Sequence, residues 1–374
     1  MKTKKTDILI CVLFCGFLFS MLLLLLVLPQ RDFSEREKRY LSDAPELTAE
    51  SLFSGEFGED MEDYLADHVP GRDFFVGLNA CYDKLTGRQV TKAVYTADGK
   101  RLVEAPVVWN GATAEKNMTS INRFAESIGQ SVDLMIVPSA GFVLEDSVQG
   151  LHDPYTDDVM IADLYAMAGE DVSCVDLIPT FTQTENPETL YYGTDHHWTS
   201  LGAYTAYEAY MELLNREHPV QSDFTVERFD GFYGSNHSRS GLWYYPADEV
   251  ELWKTETTFT VVNNDTDAVH DGLFYEERLQ ELDKYTVYLD GNHSLVRIEN
   301  PDAAGTGSLL VIRDSYANCL GTFLAHAYES VILVDLRYYK QPVSELFAEE
   351  TFTDVLVCYS IGNFLTDNNL IFLR

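Results

Sequence analysis

Three residue types in this chain can form a nucleophilic site. Ser315 sits in Arg313-Asp314-Ser315-Tyr316, directly after the apolar run Ser308 to Ile312. A serine between a buried strand and a helix gains exposure, and the helix amides can stabilise a developing oxyanion. Its hydroxyl needs a base to take the proton and a third group to fix that base's tautomer. Asp195 and His197, in Thr194-Asp195-His196-His197-Trp198, supply such a pair. Two positions apart in an extended segment, their side chains face the same side and His196 faces away. Alone, a serine after a strand reads most simply as a helix N-cap. The His196-His197 pair alone would suit a surface or a metal. Further ligands at recognisable spacing are lacking, so no metal and no other cofactor is expected. His68, His237 and His326 are isolated and read as structural, and Trp198 reads as a packing residue.

The elements that must position these groups follow an α/β alternation. The expected helices are Ala114 to Ile128, Asp157 to Ala168, Leu201 to Leu214, about Ala317 to Ala327, and Val343 to Glu349. The expected strands are Val132 to Val137, Val172 to Leu177, Ser308 to Ile312, Val331 to Leu336 and Asp354 to Tyr359. Apolar strands of this length between helices imply a parallel sheet covered on both faces. Ligands bind at the carboxyl ends of such strands. That places Ser139, Asp195, Ser315, Arg337 and Asn363 on one edge. Arg337 and Asn363 become candidate substrate-binding or oxyanion residues, and Ser139 a further substrate-binding candidate. Val94-Tyr95 and Leu102-Val103 flank Ala97-Asp98-Gly99-Lys100 as a hairpin.

Between about 216 and 300 the alternation stops. Tyr, Thr, Asp and Asn with short alternating runs suggest an insertion of β character. Within it Tyr285 to Leu289 and Ser294 to Ile298 are expected to pair across Asp290-Gly291-Asn292. Trp243-Tyr244-Tyr245 could line a sugar groove, with Trp243 as a substrate-binding candidate, or could pack the insertion itself.

The N-terminus reads as a membrane anchor over residues 1–30. Lys2, Lys4 and Lys5 precede an uncharged run from Ile8 to Leu28, about the length that crosses a bilayer. The lysines should remain in the cytoplasm, placing residues 31–374 outside as one extracytoplasmic domain. A cleaved signal peptide is the competing reading, but Leu26, Val27 and Leu28 offer no small-residue cleavage site. Residues Arg31 to about Leu52 read as a polar linker. Phe57 to Leu78 contains a run of helical spacing that Pro70-Gly71 is expected to stop. The formal net charge of -34 excludes nucleic acid as the default partner and disfavours adsorption on anionic lipid, so attachment rests on the anchor. Cys81, Cys174, Cys319 and Cys358 are scattered without a CxxC pair, which excludes zinc-ribbon and thioredoxin-like motifs.

Thr194-Asp195-His196-His197-Trp198-Thr199, followed by Gly202, resembles the motif that names the DHHW protein family. That family is similar to the SGNH-hydrolase-like domains of alginate O-acetyltransferase proteins. The likeness extends to Phe33-Ser34-Glu35 through Leu41, Phe57 to Asp73, Tyr95 to Leu102, Val137-Pro138-Ser139 and Gly234-Ser235 through Gly241. It also covers Asp314-Ser315-Tyr316 and Val334 to Tyr339. Arg313 stands where many relatives have glycine. The resemblance implies an SGNH-hydrolase-like α/β fold, with Ser315, His197 and Asp195 as catalytic nucleophile, base and orienting carboxylate. It implies acyl transfer, of acetyl above all, to or from an extracellular polysaccharide or cell-wall glycan. It also implies a multi-span membrane acyltransferase as donor partner. The second expectation is an inactive glycan-binding or scaffolding module on the same fold.

Overall fold

The computed structural model describes residues 2–34, 39–88, 90–266 and 268–373. Of the post-anchor segment, Glu35 and its three successors lie outside the described residues. The chain divides into two compact units, residues 1–88 with 238–243, and residues 89–237 with 244–374.

The first unit begins with a helix over Lys2–Val27, whose stretch Lys4–Val27 is long and apolar enough to cross a membrane. Helices Glu56–His68 and Arg72–Leu85 follow, separated at Pro70-Gly71 where Gly71 adopts a φ of 74°. The stretch expected to be a linker contains the start of a short helix, Ala49–Ser54. Its origin is the Thr48 hydroxyl, which accepts from the Ser51 amide and so satisfies an orphan donor of the first turn.

The second unit is built on an eight-stranded sheet. In chain order its strands are β1 (Val132–Val137), β2 (Val172–Val175), β3 (Thr260–Asn263), β4 (Ala268–Asp271), β5 (Leu295–Glu299), β6 (Ser308–Arg313), β7 (Ser330–Val334) and β8 (Asp354–Ser360). Their spatial order is β4-β3-β5-β7-β6-β8-β1-β2. The five strands from β7 to β2 run parallel. Alternate residues of each enter two different cores. Leu309, Val311, Leu333 and Met135 face one and Leu310, Ile312, Ile332 and Leu134 the other. Such strands must be apolar on both faces, hence the continuous runs in the sequence. One face is covered by α3 (Ser200–Leu213) and α4 (Tyr316–Leu324), the other by α1 (Gly111–Ile128) and α2 (Asp157–Tyr165).

Residues 216–300 contribute to this sheet. β5 pairs antiparallel with β7, and β3 and β4 extend the antiparallel edge beyond it. A separate ribbon pairs Thr225–Phe232 with Asp248–Lys254. The expected hairpin across Asp290-Gly291-Asn292 does not form. Lys284–Val287 is a 3-10 turn, and Leu289, Asp290 and Gly291 all take positive φ, of 55°, 63° and 80°. Burial decides the outcome: Tyr285 and Tyr288 turn inward and are almost fully covered, while β5 takes β7 as its partner instead. The hairpin Val94–Ala97 with Arg101–Glu104 forms with Ala97 opposite Arg101. All six cysteines are free thiols.

Candidate active site

The chain leaves β6 at Arg313 and enters α4 at Tyr316, leaving Asp314 and Ser315 in the connecting turn. Asp314 is fully buried and acts as a four-way tie. Its Oδ1 accepts from the Tyr316 amide at 3.0 Å. Its Oδ2 accepts from the Ser360 amide at 2.9 Å, the Ser360 hydroxyl at 2.8 Å and the Asn363 side-chain amide at 2.8 Å. The turn is thereby bolted to the carboxyl end of the neighbouring strand β8. Tyr316, Ala317 and Asn318 donate their amides to Asp314 Oδ1, Asp314 O and Ser315 O respectively. The Ser315 amide has no such partner among the described residues.

The opposing segment is held as firmly. A half-buried residue, Asp248, accepts through its carboxylate from the Gly193 amide and the Thr194 amide, both at 2.7 Å, and from the Thr194 hydroxyl. Burial raises its pKa, against the lowering effect of those donors. After Trp198 the chain enters α3, with the Thr199 hydroxyl accepting from the Gly202 amide at 3.2 Å. A Cβ on Gly202 would lie 2.2 Å from the Leu190 carbonyl oxygen, so only glycine lets the helix start this close to the strand-like segment beside it. Trp198 is fully buried and donates its indole N–H to the Tyr316 carbonyl at 3.0 Å, joining the two segments.

Across this junction, 118 positions apart in sequence, Ser315 Oγ lies 2.8 Å from His197 Nε2. The other ring nitrogen, Nδ1, lies 2.5 Å from Asp195 Oδ1. An ionised carboxylate only accepts, so Nδ1 carries the proton and Nε2 is left to accept from the serine hydroxyl. Asp195 Oδ1 also accepts from the His197 amide at 2.9 Å, and Oδ2 from the Ser235 amide at 2.6 Å. Burial pushes the Asp195 carboxyl up, but the neighbouring His196 and His197 rings and the donated hydrogen bonds overcome it and hold its pKa well below the ordinary range. It is therefore ionised throughout the neutral range, the state required to orient His197. His196 turns elsewhere: its Nδ1 lies 2.6 Å from Ser235 Oγ. Burial, then the neighbouring His197 ring, lowers its pKa.

Asp195, His196 and His197 bring potential metal-ligand atoms within 4.8 Å of one another. The donor chemistry does not favour a cation there. Both His197 nitrogens are committed to Asp195 and Ser315, and both Asp195 oxygens receive N–H donors. The site as arranged can instead move a proton from a serine hydroxyl to an imidazole.

The remaining residues singled out in the sequence have other attachments. Asn363 supports the Ser315 turn through Asp314. Arg337 is clamped on the fully buried Asp335, Nε to Oδ1 at 2.9 Å and Nη2 to Oδ2 at 2.5 Å. Ser139 caps the short helix Ala140–Val143, its hydroxyl accepting from the Phe142 amide at 3.2 Å. Its own amide donates to Asp157 at 2.7 Å. Trp243 belongs to the first unit, where its ring lies tilted against Phe74 at 5.5 Å and covers Gly77. Tyr245 is buried and Tyr244 exposed. Arg313 is fully buried, with its guanidinium on the side-chain oxygens of Asn318 and Asn292. Sequence reasoning missed Asp248, Ser235 and Tyr285. Ser235 follows a glycine in a segment the resemblance already covers; Asp248 and Tyr285 carry no local signal.

No curated protein matches the chain. Among solved structures, a DHHW family protein from Eubacterium siraeum aligns with a TM-score of 0.66 and 20% identity, covering 76% of this chain and 95% of that one. Bacillus cereus PatB1, in a structure with a sulfonyl adduct, aligns with a TM-score of 0.64 and 21% identity, covering 75% and 98%. Both share the fold. Residues 108–334, which include every member of the Asp195–His197–Ser315 constellation, match the DHHW protein family, and the chain belongs to that family.

Proposed function

We propose that this protein is a cell-envelope O-acyltransferase or esterase that moves an acyl group, acetyl in the first instance, to or from a hydroxyl of an extracellular glycan. The observation that carries the proposal is the 2.8 Å approach of Ser315 Oγ to His197 Nε2 with Asp195 on the far nitrogen. In the first half-reaction Ser315 Oγ attacks the donor's acyl carbonyl and its proton passes to His197 Nε2. The oxyanion is stabilised by the Ser315 amide at the start of α4. Its collapse breaks the bond to the leaving oxygen, which takes the proton from His197 and departs, leaving an acyl-serine. In the second half-reaction His197 takes the proton of a glycan hydroxyl, whose oxygen attacks the acyl-serine. Collapse releases the new ester, and Ser315 recovers its proton from His197. Water in place of the glycan hydroxyl gives hydrolysis. The Bacillus cereus relative's sulfonyl adduct suggests a sulfonyl fluoride as the probe for this chain. The N-terminal helix supplies single-pass attachment, with the domain outside, where a multi-span membrane acyltransferase would deliver the acyl group.

The test is release of p-nitrophenol from p-nitrophenyl acetate by the full-length protein in detergent. It is paired with the intact mass after treatment with phenylmethylsulfonyl fluoride. Wild type should turn over and gain one sulfonyl group. Ser315→Ala should do neither, and His197→Ala should lose roughly a thousandfold or more in rate. His196→Ala should retain most of it. Wild type that neither turns over nor is labelled leaves the glycan-binding module as the surviving reading.

A further inference from the structure

The His197 ring is held by more than its two hydrogen bonds. Tyr285 lies over it with ring centroids 3.8 Å apart and planes only 6° from parallel. His196 also approaches to 3.8 Å, tilted by 38°. Two rings that near cannot share one face of an imidazole, so His197 is sandwiched. The Tyr285 hydroxyl reaches the far side of the site and donates to the Ser315 carbonyl at 3.2 Å, with the Tyr316 carbonyl at 3.3 Å. One side chain therefore spans the base and the backbone that carries the nucleophile. It is itself immobilised: almost fully buried, edge-on to Tyr288 at 5.2 Å and to Tyr192 at 6.3 Å. Burial raises the phenol's pKa well above its ordinary value, so it stays a neutral donor.

We infer that Tyr285 is a positioning residue that fixes the plane of the His197 ring and ties it to the Ser315 turn; the inference rests on the acyl-transfer reading above. The two hydrogen bonds to His197 constrain the ring along the line from Asp195 to Ser315. They leave rotation about that line soft, because hydrogen bonds tolerate bending at the donor. The stacked tyrosine removes that freedom. It also lays a negative π face on the ring that becomes cationic when it takes the serine proton, a favourable interaction present in the transition state and absent when the ring is neutral. Tyr285 acts through the His197 ring and the Ser315 backbone, so its contribution belongs in the rate of the chemical step and not in substrate affinity.

The experiment compares Tyr285→Phe and Tyr285→Leu with wild type, all full-length in detergent. The readouts are kcat and KM for p-nitrophenyl acetate and the rate of Ser315 labelling by phenylmethylsulfonyl fluoride. Phe keeps the stack and loses only the hydroxyl, and should retain kcat within about fivefold. Leu fills the space without a π face. It should lower kcat and the labelling rate together by about ten- to a hundredfold, with KM within twofold. Phe falling as far as Leu, or Leu matching wild type, would overturn the inference. If Leu does not fold, Phe against wild type with a Tyr285→Met variant decides the same question. Absence of labelling in the wild type is a different failure, since it removes the acyl-transfer reading and leaves nothing for Tyr285 to position.

Discussion

Gly234 offers a perturbation of the site that removes none of the Asp195, His197 and Ser315 side chains but shifts one of them. A Cβ built on it would lie 2.1 Å from Asp195 Cβ, 2.3 Å from Asp195 Oδ2 and 2.6 Å from Asp195 Cα. Carbon atoms in ordinary contact stand at about 3.5–4.0 Å, so the two segments must separate by roughly 1–1.5 Å. The clash includes a backbone atom, and no flexible side-chain end can absorb it. Separation pulls on the 2.6 Å bond from the Ser235 amide to Asp195 Oδ2. Overpacking costs about 1–3 kcal/mol, and loss of a hydrogen bond to a charged acceptor about 1.5–3 kcal/mol. Displacing the orienting carboxylate by 1 Å costs about a hundredfold in rate. Gly234→Ala should therefore melt several degrees lower yet remain folded at 20 °C by circular dichroism (roughly, from the destabilisation above). It should lose about a hundredfold in kcat on p-nitrophenyl acetate. Gly231→Ala is the control. Its φ of 83° makes the substitution strained, but its Cβ meets nothing within 4 Å, so it should cost stability and spare kcat. A folded Gly234→Ala variant within fivefold of wild-type kcat would refute the reasoning that the 234–235 segment sets the Asp195 geometry.

Two further outcomes follow from charge and topology. Asp133 is buried on β1, and burial pushes its carboxyl up to about 6 even though the Tyr210 hydroxyl donates to it at 2.8 Å. Well below the ordinary value of 3.8 folded and unfolded chains both hold the proton; as pH rises to about 6 the unfolded chain releases it first, so stability falls across that window and stays reduced above it. Asp133→Asn, which can still accept from Tyr210, should remove that fall and raise stability at pH 7.5 by about 1–3 kcal/mol, with a much smaller gain at pH 4. Thermal melts at the two pH values check this, and an equal change at both would sink it. For topology, protease added to intact protoplasts should digest the domain after Arg31, because Lys2, Lys4 and Lys5 precede the apolar helix. Protection would reverse the orientation and remove the extracellular glycan from reach.

Much of the parallel half of the fold is legible in the sequence because its physics is local. Val132–Val137 and Ser308–Arg313 must be apolar at every position to serve two cores, and each is bounded by turn residues. Asp195, His197 and Ser315 could be singled out for a related reason: their types are chemically informative and each stands where a segment meets a helix. The 216–300 stretch resisted. Tyr285-Thr286-Val287-Tyr288 has the composition of a strand, yet the winning term is burial of two tyrosines whose hydroxyls find partners far away in sequence, which no local window contains.

Those distant partners give the stretch a role that its irregular composition hides. Ser235 holds Asp195 through its amide, Asp248 holds the Gly193-Thr194 backbone that leads into Asp195, and Tyr285 lies on His197. Each of the three comes from residues 216–300, and each acts on the Asp-His half of the site. The Ser315 half is braced instead by Asp314 with Ser360 and Asn363, from the end of the neighbouring strand. Without the first set, Asp195 and His197 would stand on an irregular segment of Gly193 to Trp198 that belongs to no helix or strand of the sheet. A loop of that kind cannot hold a 2.8 Å geometry against thermal motion unless its backbone polar groups are tied down. The segment between α3 and β6 is thus the second wall of the site, and the approach of His197 to Ser315 depends on it as much as on the sheet edge that presents Ser315.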